Sequence, residues 1–255
     1  MISFDEAQIA QWLSPIIWPF LRVLAVFTSA PVLSSRAFPM RAKIGLSLLV
    51  ALAIQASLPD APVISFNDPA ALAVVIQQVV IGLSIGFAVR LVFSSVELAG
   101  EVVGFQMGLN FAAFFDPSMN TQSSAVARFF AQIASLLFVV MNGHLMVMMA
   151  VTQSFVAFPV SPHFLDALAA MQLQKLGAEV FASALWIALP MVGILLFTNM
   201  ALGIISRVSP QMNIFAIGFP ITLVVGIVGI AVTLPMLDQP FTALMGKVIG
   251  LFVSS

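Results

Sequence analysis

The sequence predicts an all-α, polytopic membrane protein of about six hydrophobic, kinked helices arranged as hairpins. Two observations carry that prediction. First, 61% of the 255 residues are hydrophobic and only 7% are charged, against about 25% charged in a typical soluble domain. Water solvates such a surface poorly, so most of it must face lipid or other membrane subunits. Second, six apolar stretches approach the ~20 residues that a helix needs to cross the hydrocarbon core. They run over 12–33, 44–58, 70–93, 129–158, 179–205 and 214–234.

The second stretch is short and reads as a thin or partly protein-buried span. The fourth is long enough to tilt or project beyond the membrane. A last apolar run, Phe241 to Val253, contains Lys247 and is too short to span. Proline punctuates the spans at Pro15, Pro19, Pro190 and Pro220, and each removes a backbone donor. In lipid the freed carbonyls need partners that neighbouring helices supply, which favours protein packed against protein. No composition shift marks a second domain.

Charge sorts the connections. Arg36, Arg41, Lys43, Arg90, Arg128 and Arg207 lie on one side, and only Lys175 and Lys247 on the other, with Arg22 inside the first span. A Lys/Arg excess marks the cytoplasmic side, so both termini are expected outside. The first residues carry Asp5 and Glu6 with no Lys or Arg, unlike the positive start of a signal peptide, and read as retained. The formal net charge of −1 leaves no basic footprint for nucleic acid. With no cysteine, disulfides and thiolate metal sites are excluded.

Several residues invite a chemical reading. Glu97 and Glu101, four apart, share a helix face and suit either a proton relay or a polar packing stripe. Arg22 sits about ten residues into a span, where a charge costs at least about 2.5 kcal/mol. It requires a carboxylate or helix-end carbonyls, or it belongs to a solute site with Arg90 and Glu97. His144 and His163 have no second ligand at metal spacing, so no metal or cofactor is expected. Met141, Met146, Met148 and Met149 cluster in the fourth span and suit either packing or a deformable gate. Gly82/Gly86, Gly100/Gly104/Gly108 and Gly246/Gly250 have the i, i+4 spacing that lets helix backbones approach closely. Nucleotide-binding and hydrolase signatures are missing, and the chain is not expected to be an enzyme. A small-solute transporter and a membrane enzyme using Glu97 and Glu101 remain rival readings.

The most unusual segment is 105–124. It is rich in Phe and Met, then opens into Asp116-Pro117 and a polar tail. Residues alone leave it open between a re-entrant plug and an interfacial loop. Two stretches carry a resemblance: 104–117, Gly-Phe-Gln-Met-Gly-Leu-Asn-Phe-Ala-Ala-Phe-Phe-Asp-Pro, and 207–221, Arg-Val-Ser-Pro-Gln-Met-Asn-Ile-Phe-Ala-Ile-Gly-Phe-Pro-Ile. With the Arg-Ala-Lys-Ile-Gly run at 41–45, they resemble the FliR family of flagellar biosynthesis proteins, subunits of the type III export gate.

That resemblance covers essentially the whole chain. It implies a channel-forming structural subunit, with 1–175 similar to a P-type subunit and 176–255 to a Q-type helical hairpin. It implies a helical hetero-oligomer with P-type, Q-type and FlhB-type subunits in the bacterial inner membrane at the flagellar basal body, surrounded by membrane lipid and passing unfolded flagellar proteins. Gly108, Asn110, Phe111, Phe114, Phe115, Asp116 and Pro117 would then form the plug. Arg207, Pro210, Gln211 and Asn213 would form a partner-binding tip. A related virulence secretion subunit is the alternative within that resemblance.

Overall fold

The computed structural model describes residues 6–56, 58, 64, 68–109, 123–162, 169, 171, 174–209 and 214–253; of the helix-end residues 6–9, 174 and 214–216 it describes the backbone alone. Every regular element among these residues is helical: α1 (Glu6–Ser29), α2 (Met40–Gln55), α3 (Pro69–Gln106), α4 (Ala125–Val140), α5 (Gly143–Ala157), α6 (Gln174–Val208), α7 (Ile214–Thr233), a short 3-10 turn (Leu234–Leu237) and α8 (Asp238–Gly250). Among the described residues, four helical stretches are long and apolar enough to cross a membrane: Ala10–Ser29, Pro69–Gln106, Lys175–Val208 and Ile217–Gly250. The bent pair α4 and α5 makes a fifth if taken as one span.

The structure redraws several boundaries. The 70–93 stretch does not stop near Arg90: α3 continues for 38 residues, about 57 Å, almost twice the ~30 Å hydrocarbon core. Arg90, expected in a connection, therefore lies inside a helix. The 129–158 stretch is not one rod. It breaks at Met141–Asn142, where Asn142 adopts φ 56, a left-handed conformation that Asn tolerates better than most residues. The 44–58 stretch becomes α2, which at 16 residues reaches about 24 Å and falls short of a span.

The chain divides into two compact units. The first comprises Met1–Leu91, Val139–Leu176 and Met245–Ser255; the second comprises Val92–Phe138 and Gly177–Leu244. In the first, α1 packs on α2 and on the early turns of α3. A Cβ added at Gly82 would meet the Arg22 carbonyl and Ala25, and one at Gly86 would meet Ser29 Oγ and the Ala30 nitrogen. These glycines let α3 lie directly on the α1 backbone. Trp18, Val23, Val26, Ile81 and Ile85 are buried around that contact.

In the second unit the same device recurs further along α3. A Cβ at Gly100 would lie 2.7 Å from Ala127 Cα, and one at Gly104 would lie 2.9 Å from Ser124 Oγ, so α3 and α4 are similarly close. Phe93 stacks obliquely on Phe138 at 5.6 Å and edge-on to Phe241 at 5.8 Å. Two α7 glycines accept methionines, Gly226 facing Met107 and Gly229 facing Met191. A Cβ added at Gly246 or Gly250 would meet no described residue within 4 Å.

Candidate functional site

Three places gather the residues singled out by sequence. The first is Arg22, fully buried on α1. Its Nε donates to Gln78 Oε1 at 2.9 Å, one Nη to Ser154 Oγ at 2.9 Å and the other to the Phe158 carbonyl at 3.0 Å. The guanidinium also stacks 3.6 Å from the centre of the Phe155 ring, a cation–π contact that suits its planar, weakly hydrated group. The helix-end carbonyl expected from the sequence is that of Phe158, the residue that caps the C-terminal end of α5. The other partners are a neutral amide and a hydroxyl, not a carboxylate.

The network extends through Gln77. Its Oε1 accepts from Gln78 Nε2 at 2.8 Å and from the Ser161 nitrogen at 2.9 Å, while its Nε2 donates to the Pro159 carbonyl and Ser161 Oγ. One polar chain thus ties α1, α3 and α5 to residues 158–161. Buried polar groups of this kind are costly unless paired, and here each forms several bonds. Gln77, Gln78 and Ser154 were missed in the sequence, although two adjacent glutamines in an otherwise apolar span are a readable signal.

The second place is where residues 110–122 leave and rejoin the described chain. Gly108 ends α3 with φ +80. Its N–H bonds to the Phe105 carbonyl at 3.0 Å and that of Leu109 to the Gly104 carbonyl at 3.2 Å, the paired closure of a Schellman cap. Glycine is favoured there because a Cβ is strained at positive φ. On the returning side, Ser123 Oγ donates to Glu97 Oε1 at 3.1 Å and the Ser124 nitrogen to Glu101 Oε1 at 2.8 Å. The two carboxylates share a face of α3, as their spacing predicts, and they fix the chain just before α4. Both ends of the segment are therefore held on the last three turns of one helix.

Beside this anchor lies an apolar cavity of about 470 Å³, bounded by Met107, Leu109, Phe129, Leu223, Ile227 and Ile230. Thr222 Oγ1 donates to the Met107 carbonyl at 3.3 Å, tying α7 to the end of α3. Asn110, Phe111, Phe114, Phe115, Asp116 and Pro117 lie outside the described residues.

The third place is the end of α6. Arg207 is exposed in the last turn, where a cation complements the helix dipole, and the Ser209 nitrogen bonds to the Ile205 carbonyl at 2.9 Å. Pro210, Gln211 and Asn213 lie outside the described residues, as does His163. His144 is half-buried on α5, and Met149 on the same helix is exposed. No group of three or more potential metal ligands occurs among the described residues.

Outward-facing apolar side chains dominate α6 and α7. Trp186 is 70% exposed and Phe197 73%, on a helix that its own chain leaves mostly uncovered. Comparison with known proteins agrees with the two sequence stretches. The model of bacterial export proteins, family 1, matches residues 13–248. The flagellar biosynthetic protein FliR of Escherichia coli K12 is 41% identical over 243 residues, covering 94% of this chain and 92% of that protein. FliR of Pectobacterium carotovorum is 40% identical over 243 residues with the same coverage. FliR of Buchnera aphidicola from Acyrthosiphon pisum is 32% identical over 237 residues, covering 93% and 92%. The chain belongs to family 1 of the bacterial export proteins, and within it to the flagellar biosynthetic FliR proteins.

Proposed function

We propose that this membrane-embedded flagellar export component is a channel-forming structural subunit of the export gate, which helps to form and close the conduit for unfolded flagellar proteins. The observation that carries the reading is the unequal use of its surfaces. Along α3 the glycines are consumed by contacts within the chain. On α6 and α7 large apolar side chains remain uncovered, a surface that suits packing against other membrane subunits. The P-type, Q-type and FlhB-type subunits are its proposed neighbours, in the bacterial inner membrane at the flagellar basal body.

The proposed plug is segment 106–122, whose residues 106–109 close the end of α3. Its anchoring supports that role: a loop that must close a conduit repeatedly needs fixed ends, and Gly108, Glu97 and Glu101 fix them on one helix. Aromatic side chains on such a loop exclude water without any covalent lock. The tip near Arg207, with Pro210, Gln211 and Asn213, is the proposed contact for a partner subunit. The engagement of Arg22, Glu97 and Glu101 within the chain supports structural roles for them over solute binding or catalysis.

The test is purification of the tagged chain from its native membrane in mild detergent. A single particle containing the other export subunits in fixed ratio, whose loss abolishes motility, is expected. A monodisperse, thermally stable monomer from motile cells would overturn the proposal.

A further inference from the structure

The helix α2 is turned inside out. Its polar residues Lys43 and Ser47 are buried with Ala51 and Ile54, whereas Ile44, Leu48, Leu49 and Leu52 face outward, Leu49 being 64% exposed. Lys43 points back to donate to the Ser34 carbonyl at 2.8 Å, so its charge serves the turn after α1. The charges that remain outside are Arg36, in that turn, and Arg41, in the first turn of α2; both are exposed, as are Phe38 and Met40 between them. No Asp or Glu occurs from residue 7 to residue 59. A Cβ added at Gly45 would meet no described residue within 4 Å, so the outer face is indented beside Arg41, Leu48 and Leu49, its neighbours on the helix surface.

We propose that this face binds an anionic phospholipid, with Arg36 and Arg41 holding the phosphate and an acyl chain lying along the outer face of α2 at Gly45. Three features select a lipid over a protein partner. The cationic end and the apolar end occur in the order of a lipid's own headgroup and tail. The apolar row from Ile44 to Leu52 extends about 12 Å along the axis, close to the ~15 Å depth of one leaflet. Phe38 and Met40, beside the arginines, suit the boundary between headgroups and acyl chains. The two guanidinium groups also match the fork geometry of a phosphate better than ammonium groups do. The inference rests on membrane embedding and not on the channel reading.

The experiment is native mass spectrometry of the full chain in its purified complex, titrated with dioleoyl phosphatidylglycerol or dioleoyl phosphatidylcholine. Wild type is expected to favour phosphatidylglycerol. The double variant Arg36→Gln/Arg41→Gln is expected to weaken that lipid about thirtyfold, in line with the attraction of an anionic surface for each of two basic residues. Phosphatidylcholine binding stays unchanged, and Lys175→Gln, which removes an exposed charge on α6, changes neither. A second variant, Gly45→Leu, fills the indentation and is expected to weaken both lipids without altering assembly. Unchanged phosphatidylglycerol binding in the double variant would overturn the proposal. Loss of other export subunits from the particle, with lipid binding intact, would overturn it in favour of a protein contact.

Discussion

Arg22 Nε lies 2.9 Å from Gln78 Oε1, and both side chains are fully buried. This bond crosses from α1 to α3 at the level where Gly82 brings the two backbones together. A charge in that position is stable only because its nitrogens are shared among three separate acceptors and an aromatic face.

Removing the guanidinium tests that network. Arg22→Met is expected to destabilise the chain by at least about 3 kcal/mol, because Gln78 Oε1, Ser154 Oγ and the Phe158 carbonyl each lose a donor, at about 1 kcal/mol or more apiece. Arg22→Lys keeps the charge but offers one nitrogen where three are used, so it should also lower the thermal midpoint of the detergent-solubilised complex. A lysine variant as stable as wild type would show that charge alone suffices.

The glycines separate into two classes with opposite expectations. Gly82→Ala and Gly86→Ala place a methyl against the α1 backbone and should cost about 1–3 kcal/mol each, the usual range for overpacking. Gly177→Ala has open space around it and gains helix propensity of up to about 1 kcal/mol. Folded protein recovered after membrane insertion distinguishes the two; equal yields would contradict the close approach of α1 and α3.

Glu97 and Glu101 offer a test between anchoring and proton transfer. Glu97→Gln/Glu101→Gln retains the oxygen acceptors used by Ser123 and Ser124, so motility should stay near wild type. The double alanine variant loses both bonds, at about 1 kcal/mol each, and should swim poorly. Equal loss with glutamine and alanine would assign the carboxylates to proton chemistry.

At the end of α3, Gly108→Ala should cost about 1 kcal/mol by straining the left-handed cap, and Gly108→Asn less, since Asn tolerates that conformation. Measured thermal midpoints should fall in the order glycine, asparagine, alanine. Alanine at parity would mean that the cap is dispensable.

How far the sequence reached depends on the range of the interaction. Hydropathy and the i, i+4 glycines act locally, so the helical class and the close faces at Gly82/Gly86 and Gly100/Gly104 were readable. That the helix carrying Gly100 and Gly104 is continuous with the 70–93 span was not, because Glu97 and Glu101 resemble a helix's exit from lipid until their partners Ser123 and Ser124 are known. The partners of Arg22 lie 56 to 136 residues away, and nothing in spacing relates Gln78 to Ser154. The inward turn of Lys43 escaped for the same reason: its acceptor is a backbone carbonyl, which no side-chain pattern announces.

The proposed plug is tested most directly by ion permeability. Deleting Leu109 to Met119 removes the aromatic part of the segment while leaving Glu97, Glu101, Ser123 and Ser124 to hold the chain. The measurement is the ion and small-dye permeability of the inner membrane in cells expressing the deletion, with assembly of the complex confirmed in the same cells. The account predicts an assembled but leaky complex. An assembled complex as tight as wild type would contradict it and place the seal in other subunits.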